Sequence, residues 1–282
     1  MHLDRLNHKG RKIFIDDAIA RFIPRWQHQV LKEDWDKVFL VDGREGAGKS
    51  VLAQQLAAGL DPEFNIDKIV FTGEDLIKKI RGLDKKTNRK RGDCFILDEA
   101  FGSINSRQAM SSINRAMIQL GTEMRHFNLF IIIVLPYFFD LDKYYAIARA
   151  NNLFHVYCNK QEKRGWYKVY AYNAKKTLYL KGKKEYNYGA VRTPFSRLRF
   201  SDGYVVDKNA YDQKKTDATT ESGKQKVGAV ENRWKDRCTQ LVQFIKEKTN
   251  ISDRVIAEFM DTGRQRVQEW KTAEVMPLPI AQ

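Results

Sequence analysis

"GREGAGKS", residues 43–50, stands between the apolar run Val38–Val41 and the segment Val51-Leu52-Ala53. It fits the pattern G-x-x-x-x-G-K-[ST], and that pattern has a physical meaning. Glycines at 43, 46 and 48 allow positive φ, so successive backbone N–H groups can turn inward around phosphate oxygens. A helix starting directly afterwards adds unpaired N–H groups and the positive end of its dipole. The expected nucleotide-binding set is Gly43, Arg44, Glu45, Gly46, Ala47, Gly48, Lys49, Ser50 and Val51. Within it, Lys49 would reach the β- and γ-phosphates of ATP and the Ser50 hydroxyl would ligate Mg²⁺. The flanks agree: 38–41 reads as a buried strand, and 50–60 as a helix with apolar residues at 51, 52, 56 and 60. Asp61-Pro62 ends that helix. A chance Gly-rich turn would not need strand, lysine, serine and helix in one register.

A second stretch, "DCFILDEA" (93–100), is an apolar strand that ends in Asp98 and Glu99. A phosphate loop that hydrolyses its nucleotide needs such an acidic strand end beside it. Asp98 would hold the Mg²⁺ shell and Glu99 would polarise the attacking water. Between the two stretches lie a strand at Ile69–Phe71 and a helix at 74–81, opened by the cap-like Thr72-Gly73-Glu74-Asp75. Residues 106–126 carry a helical apolar stripe. "LFIIIVL" (129–135) reads as a central parallel strand covered on both faces. This alternation predicts an α/β fold with a mostly parallel sheet flanked by helices.

Composition bounds the rest. A chain of 282 residues can bury a full core and suggests one large domain plus a smaller unit. No apolar run reaches membrane-spanning length, and the first residues lack the apolar core of a signal peptide. The three cysteines, 94, 158 and 238, are far apart and fit reduced thiols in the cytoplasm better than a disulfide or metal framework. Fifty Lys and Arg against 35 Asp and Glu give a formal net charge of +15, which favours a polyanionic partner such as DNA.

The expected organisation is an N-terminal extension (1–36), an ATPase domain (37–210), a flexible linker (211–230) and a helical module (231–282). In the extension, 16–23 reads as a short helix ended before Pro24. "LFHVYCN", "WYKVYAY" and "TLYLKG" look like strands added at one sheet edge. "YDQKKTDATTESGKQKVG" (211–228) has almost no large apolar residue and suggests a tether. Beyond it, an amphipathic helix with 234, 238, 241, 242 and 245 facing inward precedes "SDRVIAEFM", the turn Asp261-Thr262-Gly263 and "RQRVQEWKTA". That succession is a helix-turn-helix pattern. Val267 and Trp270 would pack inward, leaving Arg264, Gln265, Gln268 and Lys271 for phosphates and base edges. A small protein-binding three-helix bundle is the alternative. Basic loops offer further DNA contacts: Lys85, Lys86, Arg89, Lys90 and Arg91 in "KKTNRKR", and the lysines of "KKTLYLKGKK" (175–184). Each reads equally as a solvated surface.

The loop, the "ILDEA" strand end and "EMRHFNLFIIIVLPYFFDLDKYY" (123–145) together resemble the zonular-occludens-toxin-type ATPases of bacteriophages, within the additional-strand P-loop class of the FtsK and HerA DNA pumps. The likeness covers roughly residues 35–200. It implies a ring, usually a hexamer, that moves DNA, with an arginine supplied across a subunit boundary. Arg125 is the first candidate for that arginine, and Arg115 and Arg107 are alternatives; His126 is better read as structural. Two features depart from the pattern. Leu135-Pro136 stands where a polar γ-phosphate sensor is usual, and there is no membrane helix. The expectation is therefore an ATP-hydrolysing DNA motor or remodeller of a phage or mobile element, engaged in translocation, packaging or transfer. The alternative is a DNA-binding regulator that ATP switches with little turnover. A small-molecule kinase would leave the basic charge and the C-terminal pattern unexplained.

Overall fold

The structure, a computed structural model, describes residues 3–8, 11–82, 90–98 and 127–272. Its contacts divide the chain into two compact units, Met1–Thr219 and Thr220–Gln282.

The first unit is built on a seven-stranded sheet of mostly parallel strands flanked by helices. Before the sheet come a hairpin of β1 (Leu3–His8) and β2 (Arg11–Asp16) and two helices, α1 (Asp17–Ala20) and α2 (Ile23–Lys32). The helical expectation around 16–23 extends further than the sequence suggested. Pro24 opens α2 instead of ending a helix, because the first turn needs no N–H from it. Trp26 of α2 packs on the strand residue Phe39, with ring centroids 4.9 Å apart, so this extension is part of the core.

The strands then run β3 (Lys37–Gly43), β4 (Ile69–Val70), β5 (Cys94–Asp98), β6 (Phe130–Val134), β7 (Asn152–Tyr157), β8 (Trp166–Tyr170) and β9 (Phe195–Arg199). Their spatial order is β4-β5-β6-β3-β7-β8-β9, parallel as far as β7 and antiparallel thereafter. Period-2 alternation divides β3 between two apolar layers. Phe39 and Val41 face helix α3 (Lys49–Leu60), while Val38 and Leu40 join Leu76 and Ile80 of α4 (Gly73–Ile80) on the other face. Helices on both faces explain why β3, β5 and β6 are buried along their whole length.

Two stretches differ from expectation. "TLYLKG" is not an edge strand; it lies in helix α5 (Tyr172–Gly182). Its buried residues, Lys175, Leu178, Tyr179 and Gly182, have helical spacing, and this face packs under the sheet. Residues 211–228 are not a loose tether either, since they lie in helix α6 (Lys208–Lys248). Low apolar content hides any helical stripe from the sequence, but Lys, Gln, Glu and Ala are good helix formers. Gln213 and Asp217 pair at i,i+4, 2.8 Å apart.

In the second unit, α7 (Asp253–Phe259) and α8 (Arg264–Thr272) pack on the end of α6 through Cys238, Val242, Ile256, Ala257, Val267 and Trp270. Trp234 and Leu241, expected inside, are exposed. Among the described residues no helix is long and apolar enough to cross a membrane.

Candidate nucleotide site

Register brings the two sequence stretches together. Val41 of β3 and Asp98 of β5 both pair with Val134 of β6, so the root of loop 43–50 and Asp98 stand level, two strands apart. At the usual strand spacing that separation is about 10 Å. The loop itself carries positive φ at Gly43 (141°), Gly46 (73°) and Gly48 (102°). At Gly43 no side chain fits, because a Cβ would lie 2.1 Å from the Val156 carbonyl oxygen of β7. Gly48 is the N-cap of α3 and therefore sets where that helix begins.

Lys49 folds back over the loop, its Nζ donating to the carbonyls of Gly43 (2.7 Å) and Arg44 (3.2 Å). Burial lowers its pKa, opposed by the nearby carboxylates of Asp42, Asp98 and Glu45. A partly desolvated cation with weak carbonyl partners gains much from a polyphosphate.

Above the loop lies a cavity of about 1110 Å³. Its positive lining is Lys49, Lys163, Arg164, Arg199, Lys208 and Lys215; its acidic lining is Glu45, Asp98 and Asp202. That balance suits an anion. The far wall is fixed by two buried glutamines of α3. Gln55 Nε2 donates to Ser201 O (2.9 Å), Ser201 Oγ (2.9 Å) and Gly203 O (2.8 Å), and Gln54 Oε1 accepts from Val205 N (3.2 Å). The helix that follows loop 43–48 thus also holds the opposite wall of the cavity.

Asp98 is buried and accepts a 2.5 Å hydrogen bond from the Tyr211 hydroxyl, in the first turn of α6. The Ser50 side chain stands beside the same tyrosine. Burial, then Asp98, push the Tyr211 pKa above the ordinary phenol range, so the hydroxyl stays a donor. Ser50 and Asp98 both line the cavity, where one cation would meet the two side chains. Among the described residues no three His, Cys, Asp or Glu side chains form a metal cluster. Mg²⁺ does not require one, since it commonly takes one or two protein oxygens, with phosphate and water completing the shell. The residues fit the ion.

Where the usual sensor would stand, Leu135 is buried and its N–H donates to Val41 O (2.8 Å). The neighbouring buried acid is Asp42, which accepts from His155 Nδ1 (3.0 Å), Phe138 N (3.1 Å) and the Tyr188 hydroxyl.

Other expected site residues are spread more widely. Glu99, Arg107, Arg115, Arg125, His126, Lys85, Lys86 and Arg89 lie outside the described residues. Lys90 pairs with Glu63 (2.9 Å), and Arg91 pairs with Asp34. Lys175 of the basic 175–184 segment is fully buried and donates to the carbonyls of Ala146 and Ile147, so it does not face solvent. In the second unit Arg264, Gln265, Gln268 and Lys271 are exposed, while Val267 and Trp270 are buried. Tyr211, Arg164 and the wall at 199–204 had no sequence signal, because contacts across so many residues leave no local spacing. No protein-family model matches the chain, and no curated protein matches it.

Proposed function

We propose that this chain binds Mg²⁺-ATP at loop 43–50 and hydrolyses it to drive the handling of DNA. The observation that carries the nucleotide half is the levelling of Asp98 with the root of the loop through Val134, beside a cationic cavity. The loop and Lys49 would take the phosphates, and Ser50 with Asp98 would hold Mg²⁺, which neutralises phosphate charge when bound. Glu99, the next residue, would orient and deprotonate water, and Arg125 would act from a neighbouring copy in a ring. Strand β6 between β3 and β5 supports kinship with the additional-strand P-loop ATPases.

The DNA half rests on the net charge of +15 and the exposed Arg264, Gln265, Gln268 and Lys271 on α8. One observation favours the second reading, a switch with little turnover: the Tyr211 hydroxyl already bonds Asp98, an expected cation ligand.

Titration with a fluorescent ATP analogue, beside turnover with and without DNA, tests the proposal. Lys49→Ala should lose nucleotide binding, since the phosphates lose their fixed cation, and DNA should accelerate wild-type turnover. Unaltered affinity in Lys49→Ala overturns the nucleotide site. Retained nucleotide with negligible turnover selects the switch.

A further inference from the structure

Tyr211 is 2% exposed, and its ring lies between Phe71 (centroids 5.8 Å) and Tyr204 (5.5 Å). Its turn of α6 is fastened locally. Ala210 N donates to Asp207 Oδ1 (2.9 Å), and Lys214 Nζ donates to the carbonyls of Ile66 (2.7 Å) and Ile69 (2.8 Å), beside the start of β4. The hydroxyl is therefore delivered to Asp98, beside Ser50, by a fastened helix start. It satisfies the carboxylate without supplying charge, by donating to Asp98 Oδ2.

A divalent cation bound by the same carboxylate oxygen competes with the tyrosine for it. Once Asp98 Oδ2 turns to a cation, the buried hydroxyl loses its acceptor, and an unpartnered buried hydroxyl is costly. The ring must then leave, and the helix turn that carries it must shift.

We infer that the Tyr211 hydroxyl holds the place of the divalent cation at Asp98, so that cation loading ejects it and displaces the first turns of α6. This rests on the nucleotide reading above. Tyr211 would then set the Mg²⁺ threshold of the site and turn loading into a movement at 208–219.

The test compares the wild type with Tyr211→Phe, which keeps the buried ring and removes only the hydroxyl. Binding of a fluorescent, non-hydrolysable ATP analogue is followed against Mg²⁺ concentration. The half-saturating Mg²⁺ should fall about tenfold in Tyr211→Phe, the scale of one hydrogen bond to a charged group. An unchanged or higher Mg²⁺ requirement overturns the inference, and a higher one would make Tyr211 a supporting partner of the loaded carboxylate. Hydrogen exchange gives a second readout in the wild type: amides of 208–219 should lose protection when Mg²⁺ and analogue are added together. Unchanged protection there overturns the inference as well. A wild-type chain that binds no analogue at any Mg²⁺ concentration overturns the nucleotide reading itself, and the inference with it.

Discussion

Gly48 is held to glycine by two independent causes. Its φ of +102° is strained for any L side chain, and a Cβ would stand 3.0 Å from the Phe200 ring that overlies the loop. Gly82 offers a control, with φ +68° and nothing within 4 Å. Both Gly→Ala changes should lower stability by about 1–3 kcal/mol through backbone strain. Only Gly48→Ala should also weaken nucleotide binding, because Phe200 and the loop must separate. Melting temperature and analogue affinity, measured on both variants, check this. Equal affinity in Gly48→Ala and wild type would mean that the loop geometry is not what holds the phosphates. The residue pattern G-x-x-x-x-G-K-[ST] was legible because its spacing is local; Phe200 over Gly48 was not, since the two are far apart in sequence.

Helix α5 shows what elements add to residues. Lys175 points its ammonium at the carbonyls of Ala146 and Ile147, in the π-helical turn Tyr145–Arg149. Desolvation lowers its pKa from 10.5 to about 8. A neutral amine still has two hydrogens for the two carbonyls, so deprotonation leaves the contact intact. The sign follows. Between about pH 8 and 10.5 the unfolded chain binds more protons at this group than the folded one, so its contribution to stability rises with pH, by ~3 kcal/mol at most. Below pH 8 the full penalty of a buried charge is present. Lys175→Met should therefore flatten the stability profile between pH 8 and 10, as measured by denaturant unfolding at several pH values. Parallel profiles for the two chains would contradict a buried, depressed lysine. The sequence carried the helix of α5 in the spacing 175, 178, 179 and 182, yet the aromatic strands before it and the alternating Thr-Leu-Tyr-Leu suggested a strand. For β3, β5 and β6 the reading was secure, because a continuous buried apolar run bounded by turn residues leaves few alternatives. Helix α6 was hidden for the opposite reason: the stretch 211–228 carries almost no apolar stripe, and its fastening through Tyr211 and Lys214 is long-range.

At the scale of the whole molecule the question is which unit meets a polyanion. The net charge of +15 is spread along the chain, but Lys90 and Arg91 already have carboxylate partners, and Lys175 is buried. On α8, Arg264 and Lys271 are exposed and flank Gln265 and Gln268, while Val267 and Trp270 tie the opposite face to Cys238 and Val242. A cut inside 211–215 would remove the Tyr211 and Lys214 contacts, so the informative truncation ends at Thr219, where the first compact unit ends. That shortened chain should keep nucleotide binding and lose affinity for DNA. In the full chain, Arg264→Ala and Lys271→Ala should each reduce the slope of log affinity against log salt by about one counterion if they touch phosphate. Gln268→Ala should leave the slope unchanged and alter preference among DNA sequences if its amide reads a base edge. Fluorescence anisotropy with labelled duplexes over a series of salt concentrations separates these outcomes. If the chain ending at Thr219 binds DNA with the same affinity and salt slope as the full chain, α8 is a docking face for protein. DNA contact then passes to the exposed lysines of the first unit, such as Lys176, Lys181 and Lys184 around α5.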